Sequence, residues 1–81
     1  MEKRVAVLGI IVEDIASAPK VNEVLHEYSE YIIGRMGLPH TEKNLNVISV
    51  VIDAPMDIIN ALSGKIGRVD GVSAKAVCAT K

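Results

Sequence analysis

The chain has no Phe and no Trp, and only two Tyr among its 81 residues. Its core must be built from Val, Ile, Leu, Met and Ala, and the β-branched members of that set favour a pleated sheet. Without large rings such a core is thin for one small copy of the chain, which favours extra burial between copies. There is one cysteine, Cys78, so no disulfide can close within the chain, and a reducing, cytoplasmic setting is expected. No uninterrupted apolar run approaches the roughly 18 residues of a membrane span. Glu2 beside Lys3 and Arg4, followed by a short apolar stretch, shows no evident signal-peptide pattern. An excess of one charge is missing too: nine Lys and Arg stand against ten Asp and Glu, with a pI near 6.1. The cations are scattered, so the concentrated basic face of a nucleic-acid binder is not expected.

What the chain does have is apolar sequence, 49% against 23% charged, enough for one folded domain over residues 1–81. Two runs are apolar on both sides. In Arg4–Glu13, Val5, Val7 and Ile11 alternate with Leu8, Ile10 and Val12; in Leu45–Asp53, Leu45, Val47 and Val51 alternate with Ile48, Val50 and Ile52. A strand wet on one face alternates apolar with polar. So short a chain cannot cover both faces of a sheet with its own helices, and a second copy is the simplest cover. The expected partner is the chain itself, as a homodimer or a higher even-numbered oligomer through the sheet, burying about 2,000 Å² or more. A charge on the helix-free face of the central strands, at Val50 if that face includes it, should dissociate or aggregate the protein.

Between these runs, Glu13 to Ala18 reads as a loop and Pro19 suits the first turn of a helix. Val21, Val24, Leu25 and Tyr28 follow at helical spacing. Ile32 to Leu38, with Gly34, Gly37 and the following Pro39, suits a short edge strand. His40 to Asn44 is a polar turn. Pro55 opens a second helix with Ile58, Ile59, Leu62 and Ile66 as its stripe, ending at Gly67. Asp70-Gly71 is a turn and Val72 to Ala79 a closing strand. The order is β-α-β-β-α-β, an α+β ferredoxin-like two-layer sandwich: one four-stranded antiparallel sheet in the order 4-1-3-2, both helices on one face. The two most apolar runs fall at its central positions, and Gly, Pro, Lys and Ser at its edges.

No arrangement carries a reaction, and the chain reads as a binding or regulatory module, not an enzyme. His26, His40 and Cys78 are metal-ligating types but lie on a helix, a loop and an edge strand, so a site would need several copies; no metal and no cofactor is expected. Glu13-Asp14 and the pair Asp53 and Asp57 sit at strand ends and helix starts, where acids complement the helix dipole. Gly34-x-x-Gly37 and Gly64-x-x-Gly67 neither follow a strand nor open a helix, as a phosphate loop must. Arg35, between glycines on an edge strand, can clamp a carboxylate or phosphate across a subunit boundary, or form an interface salt bridge. The candidate ligand-binding residues are Asp14 and Ser17 in the loop after the first strand, and Arg35.

The stretches Val7-Leu-Gly-Ile-Ile-Val-Glu13, Val21-Asn-Glu-Val-Leu-His26, Ile32-Ile-Gly-Arg-Met-Gly-Leu-Pro39, Val47-Ile-Ser-Val-Val-Ile-Asp53 and Ala61-Leu-Ser-Gly-Lys-Ile-Gly67 resemble the iron-only hydrogenase system regulator family. Gly34-Arg-Met-Gly-Leu-Pro39 is the most specific part. The resemblance implies a role in regulating or supporting that hydrogenase system, through either a small-molecule effector or a regulatory or maturation protein. At fold level the family resembles ACT domains and the C-terminal domain of the nickel-responsive repressor, which bind effectors between subunits. The chain departs from both: Glu13-Asp-Ile-Ala-Ser-Ala-Pro19 lacks the glycine of the ACT turn, and no His-x-His strand motif is present.

Overall fold

The computed structural model describes residues 2–80. Strand β1 (Arg4–Val12) leads through a single 3-10 turn (Ile15–Ser17) into helix α1 (Ala18–Glu27). A second such turn (Ser29–Tyr31) leads to β2 (Ile32–His40), and a third (Thr41–Lys43) separates β2 from β3 (Leu45–Ala54). Helix α2 (Met56–Gly67) and strand β4 (Val72–Cys78) close the chain. The sheet is antiparallel throughout, in the order β2-β3-β1-β4, which is 4-1-3-2 read from the other edge. The expected βαββαβ sandwich is therefore the observed one. Strand β2 runs from Ile32 as anticipated and extends two residues past Leu38, taking in Pro39 and His40; an edge strand tolerates a residue with no N–H to donate. Its pairing slips at Ile33, a bulge between Ile32 opposite Ile52 and Gly34 opposite Val51.

The alternating side chains of β1 and β3 part the sheet into two unlike faces. Leu8, Ile10 and Val12 of β1 join Ile48, Val50 and Ile52 of β3 on the covered face, all buried. Helix α1 adds Val21, Val24 and Leu25, and α2 adds Ile59, Leu62 and Ile66. Ile58, counted in the apolar stripe from spacing, sits at its margin, only partly buried against the core. Pro19 occupies the first turn of α1 and Pro55 the cap position of α2, where a missing N–H breaks no helical bond.

Val50 lies beneath the helices with no accessible surface. It is not on the helix-free face, so the charge test of that face belongs at its neighbours: Val47 and Val51 on β3, and Val5, Val7 and Ile11 on β1. Four of these five are more than a third exposed, and Val51 is partly so.

Candidate functional site

Arg35 and Val50 are register partners, so the Arg35 side chain leaves β2 on the helix side of the sheet. It crosses to α1, where its Nη2 donates a hydrogen bond to Asn22 Oδ1. This bridge spans a groove between α1 and the edge strand. On one side of it is a hollow of about 280 Å³, lined by Ala18, Gly37, Leu38, Pro39, Asn46 and Ile48 as well as the bridging pair. On the other is a hollow of about 330 Å³ bounded by Leu25, His26, Ser29 and Ile32 with the same two residues. Among the described residues no carboxylate lies within ion-pair distance of Arg35. A guanidinium has five N–H donors and this one is held by a neutral amide, so it keeps charge and donors for an anion.

The other two candidate residues stand elsewhere. Asp14 Oδ1 accepts from the Ala16 N–H at 3.1 Å, capping the short turn that leads into α1. Ser17 is at the cap position of α1 but does not cap it; its hydroxyl donates to the Asp70 carbonyl at 2.7 Å. The structure thus ties Asp14 and Ser17 to the α2–β4 turn, where Glu13 N–H and Asp14 N–H also donate to Gly71 O. Neither lines the groove that holds Arg35. Ser17 borders a shallow cleft of about 460 Å³ with Lys20, Lys65, Arg68 and Asp70. Two of its cations are already engaged, Lys20 by Glu23 at 3.5 Å and Lys65 by Glu27 at 3.7 Å. Lys65 also lies 5.2 Å above the Tyr28 ring. Tyr28 first, and the Glu27 carboxylate second, raise its amine above the usual lysine value.

Asn22 and Asn46 were not among the candidate residues. In sequence Asn22 reads as the wet side of α1, and only the fold, across a gap of 13 positions, brings it to Arg35. Among the described residues no three His, Cys, Asp or Glu side chains converge as a metal site would require. His26 is exposed on α1, His40 stands 4.0 Å from Glu42 Oε2 at the end of β2, and Cys78 is half-buried on β4. No helix among the described residues is long and apolar enough to cross a membrane.

The model of the TM1266-like family, described as "Iron-only hydrogenase system regulator, putative", matches residues 4–76. The solved structure of the uncharacterized protein TM1266 from Thermotoga maritima is 46% identical, with a TM-score of 0.90 over 95% of this chain and 98% of that one. A formyltetrahydrofolate deformylase from Pseudomonas putida KT2440 is 13% identical, with a TM-score of 0.65 over 90% of this chain and 28% of that one, a likeness of fold alone. No curated protein matches. With the family model matched from the first strand into the last, and a homologue aligned along almost its whole length, the chain belongs to the TM1266-like family.

Proposed function

We propose that this protein is a non-enzymatic, cytoplasmic regulatory module that senses a small anionic molecule in the groove between α1 and β2, with Arg35 as the clamp. The observation that carries this reading is the Arg35 guanidinium, held over the groove by Asn22 and neutralised by no described carboxylate. A carboxylate or phosphate oxygen pair matches the fork of a guanidinium. Ala18, Leu38, Pro39 and Ile48 give the adjoining hollow an apolar wall, with Asn46 as a further polar group. Its volume of about 280 Å³ suits a compact anion with an apolar body. In this reading Asp14 and Ser17 act as positioning residues, holding the loop from which α1 starts. The family's description supports the regulatory part of the reading.

The competing reading is a ligand-free adaptor that binds a regulator or maturation protein, favoured by the exposed apolar residues of the helix-free face. A thermal-shift screen of small carboxylates, nucleotides and inorganic phosphate separates the two. A ligand at one hundred times its Kd stabilises the fold by about 2.7 kcal/mol, and Arg35→Lys, which keeps the charge but not the fork, should abolish the shift. A screen with no shift at all, or an undiminished shift in Arg35→Lys, would overturn the anion clamp.

A further inference from the structure

The helix-free face of the sheet is regular enough to be described as a grid. Its middle row, from edge to edge, is Met36, Ser49, Gly9 and Lys75. On one side lies the row Leu38, Val47, Ile11 and Ser73, and on the other the row Gly34, Val51, Val7 and Val77. Met36, Leu38 and Val77 are 69%, 61% and 72% exposed and share this face with the exposed Val7, Ile11 and Val47, a patch and not scattered single residues. The centre of the face, Gly9 beside Ser49, is its lowest point, since neither residue carries bulk. Each flanking row is large at one end and small at the other.

We infer that this face is a homodimer interface, two copies packing face to face about a twofold axis that runs along β1 and β3. That axis lays β2 of one copy over β4 of the other. Leu38 then faces Ser73, Val77 faces Gly34, and Val7 faces Val51, so bulk meets space at the outer ends of both flanking rows, while Met36 faces Lys75 in the middle one. Gly9 faces Ser49, which lets the two backbones close at the centre. An axis across the strands would match large to small in the flanking rows equally well, Leu38 on Gly34 and Val77 on Ser73, but would set Lys75 on Lys75, opposing like charges. Among the described strand residues the face carries one lysine, Lys75, and one carboxylate, Asp53, so two copies meet without net repulsion. Four strands about 4.8 Å apart, crossed by these three rows about 6.8 Å apart and by the half row of Val5 opposite Asp53, give roughly 450 Å² per copy. The pair buries roughly 900 Å², just under the figure of about 1,000 Å² for a specific interface. That is less than half the area expected from the doubly apolar strands, and a face of this size must rely on its shape match. This inference is independent of what Arg35 binds.

Sedimentation equilibrium of the full chain at micromolar concentration should give twice the 8.7 kDa protomer mass. The Gly9→Leu variant should be a folded monomer by far-UV circular dichroism, because a Cβ at Gly9 has only Lys75 O nearby, at 3.9 Å, in the single copy. Ser73→Leu should weaken the dimer about tenfold by crowding Leu38 of the other copy, and adding Leu38→Ser should restore it. A monomeric wild type, a different protein seated in the sedimenting species, an unchanged dimer in Gly9→Leu, or a Ser73→Leu defect that Leu38→Ser fails to rescue would overturn the inference.

Discussion

Replacing Gly71 with Ala tests how tightly the end of β1 is locked to the α2–β4 turn. Gly71 has φ +72°, in the left-handed region that an L side chain enters at a cost of about 1–2 kcal/mol. The added methyl would also stand 2.6 Å from Asp14 Cβ and 3.2 Å from Asp14 N, so something must move. What must move is the segment whose Glu13 N–H and Asp14 N–H both donate to Gly71 O, at 2.7 and 3.3 Å. Overpacking of this kind costs a further 1–3 kcal/mol or so. The sum, about 2–5 kcal/mol, is a large part of the 5–15 kcal/mol that holds a typical domain folded.

Urea unfolding followed by far-UV circular dichroism, at one protein concentration so that any assembly contributes equally, reads this loss directly. In a domain of this size it corresponds to a fall in Tm of roughly 10–30 °C. Gly67→Ala is the control: its Cβ meets nothing within 4 Å, its φ is not positive, and it ends a helix. That change should be neutral or stabilise by up to about 1 kcal/mol. A Gly71→Ala loss below about 1 kcal/mol, or an equal loss in Gly67→Ala, would refute the reasoning, since neither the backbone nor the Asp14 contact would then be limiting.

Leu62 has no accessible surface and lies at the centre of the α2 stripe, so Leu62→Ala should cost about 2–5 kcal/mol in the same urea assay. Lys65, raised by Tyr28 and then Glu27, contributes stability that is fully present below its ordinary value of 10.5 and is lost as pH climbs through its higher folded value. The Tm difference between wild type and Lys65→Met should accordingly be constant across the neutral range and shrink only in the alkaline limb; a difference that changes near neutrality would refute the assignment.

The topology was legible in the sequence because each element carries its own physical mark. Continuous Val and Ile runs marked the central strands, Gly34, Gly37 and Pro39 an edge, and Pro19 and Pro55 the two helix starts. Which face the helices cover was not legible from period alone, because β1 and β3 are apolar on both sides. Val50 was for that reason a candidate for the open face and is buried on the closed one. One signal was present: Gly9 and Ser49 interrupt the set that ends up open, whereas Leu8, Ile10, Ile48, Val50 and Ile52 form an unbroken apolar set. Helices laid over Gly9 and Ser49 would leave a hollow, and close packing excludes it.

The groove shows the same division between what is local and what is not. Arg35 stood out in sequence because its neighbours are glycines and its strand is an edge, both local properties. Asn22 did not, because a polar residue on the outer side of α1 has no local reason to differ from Lys20 or Glu23. The difference is made by the register of β2 on β3. With Arg35 opposite Val50, its side chain rises toward α1; a slip of one residue would send it to the helix-free face and bring Met36 up in its place. The bulge at Ile33 alters that register at the entry of β2, so the groove and its cation depend on one extra residue at the start of an edge strand.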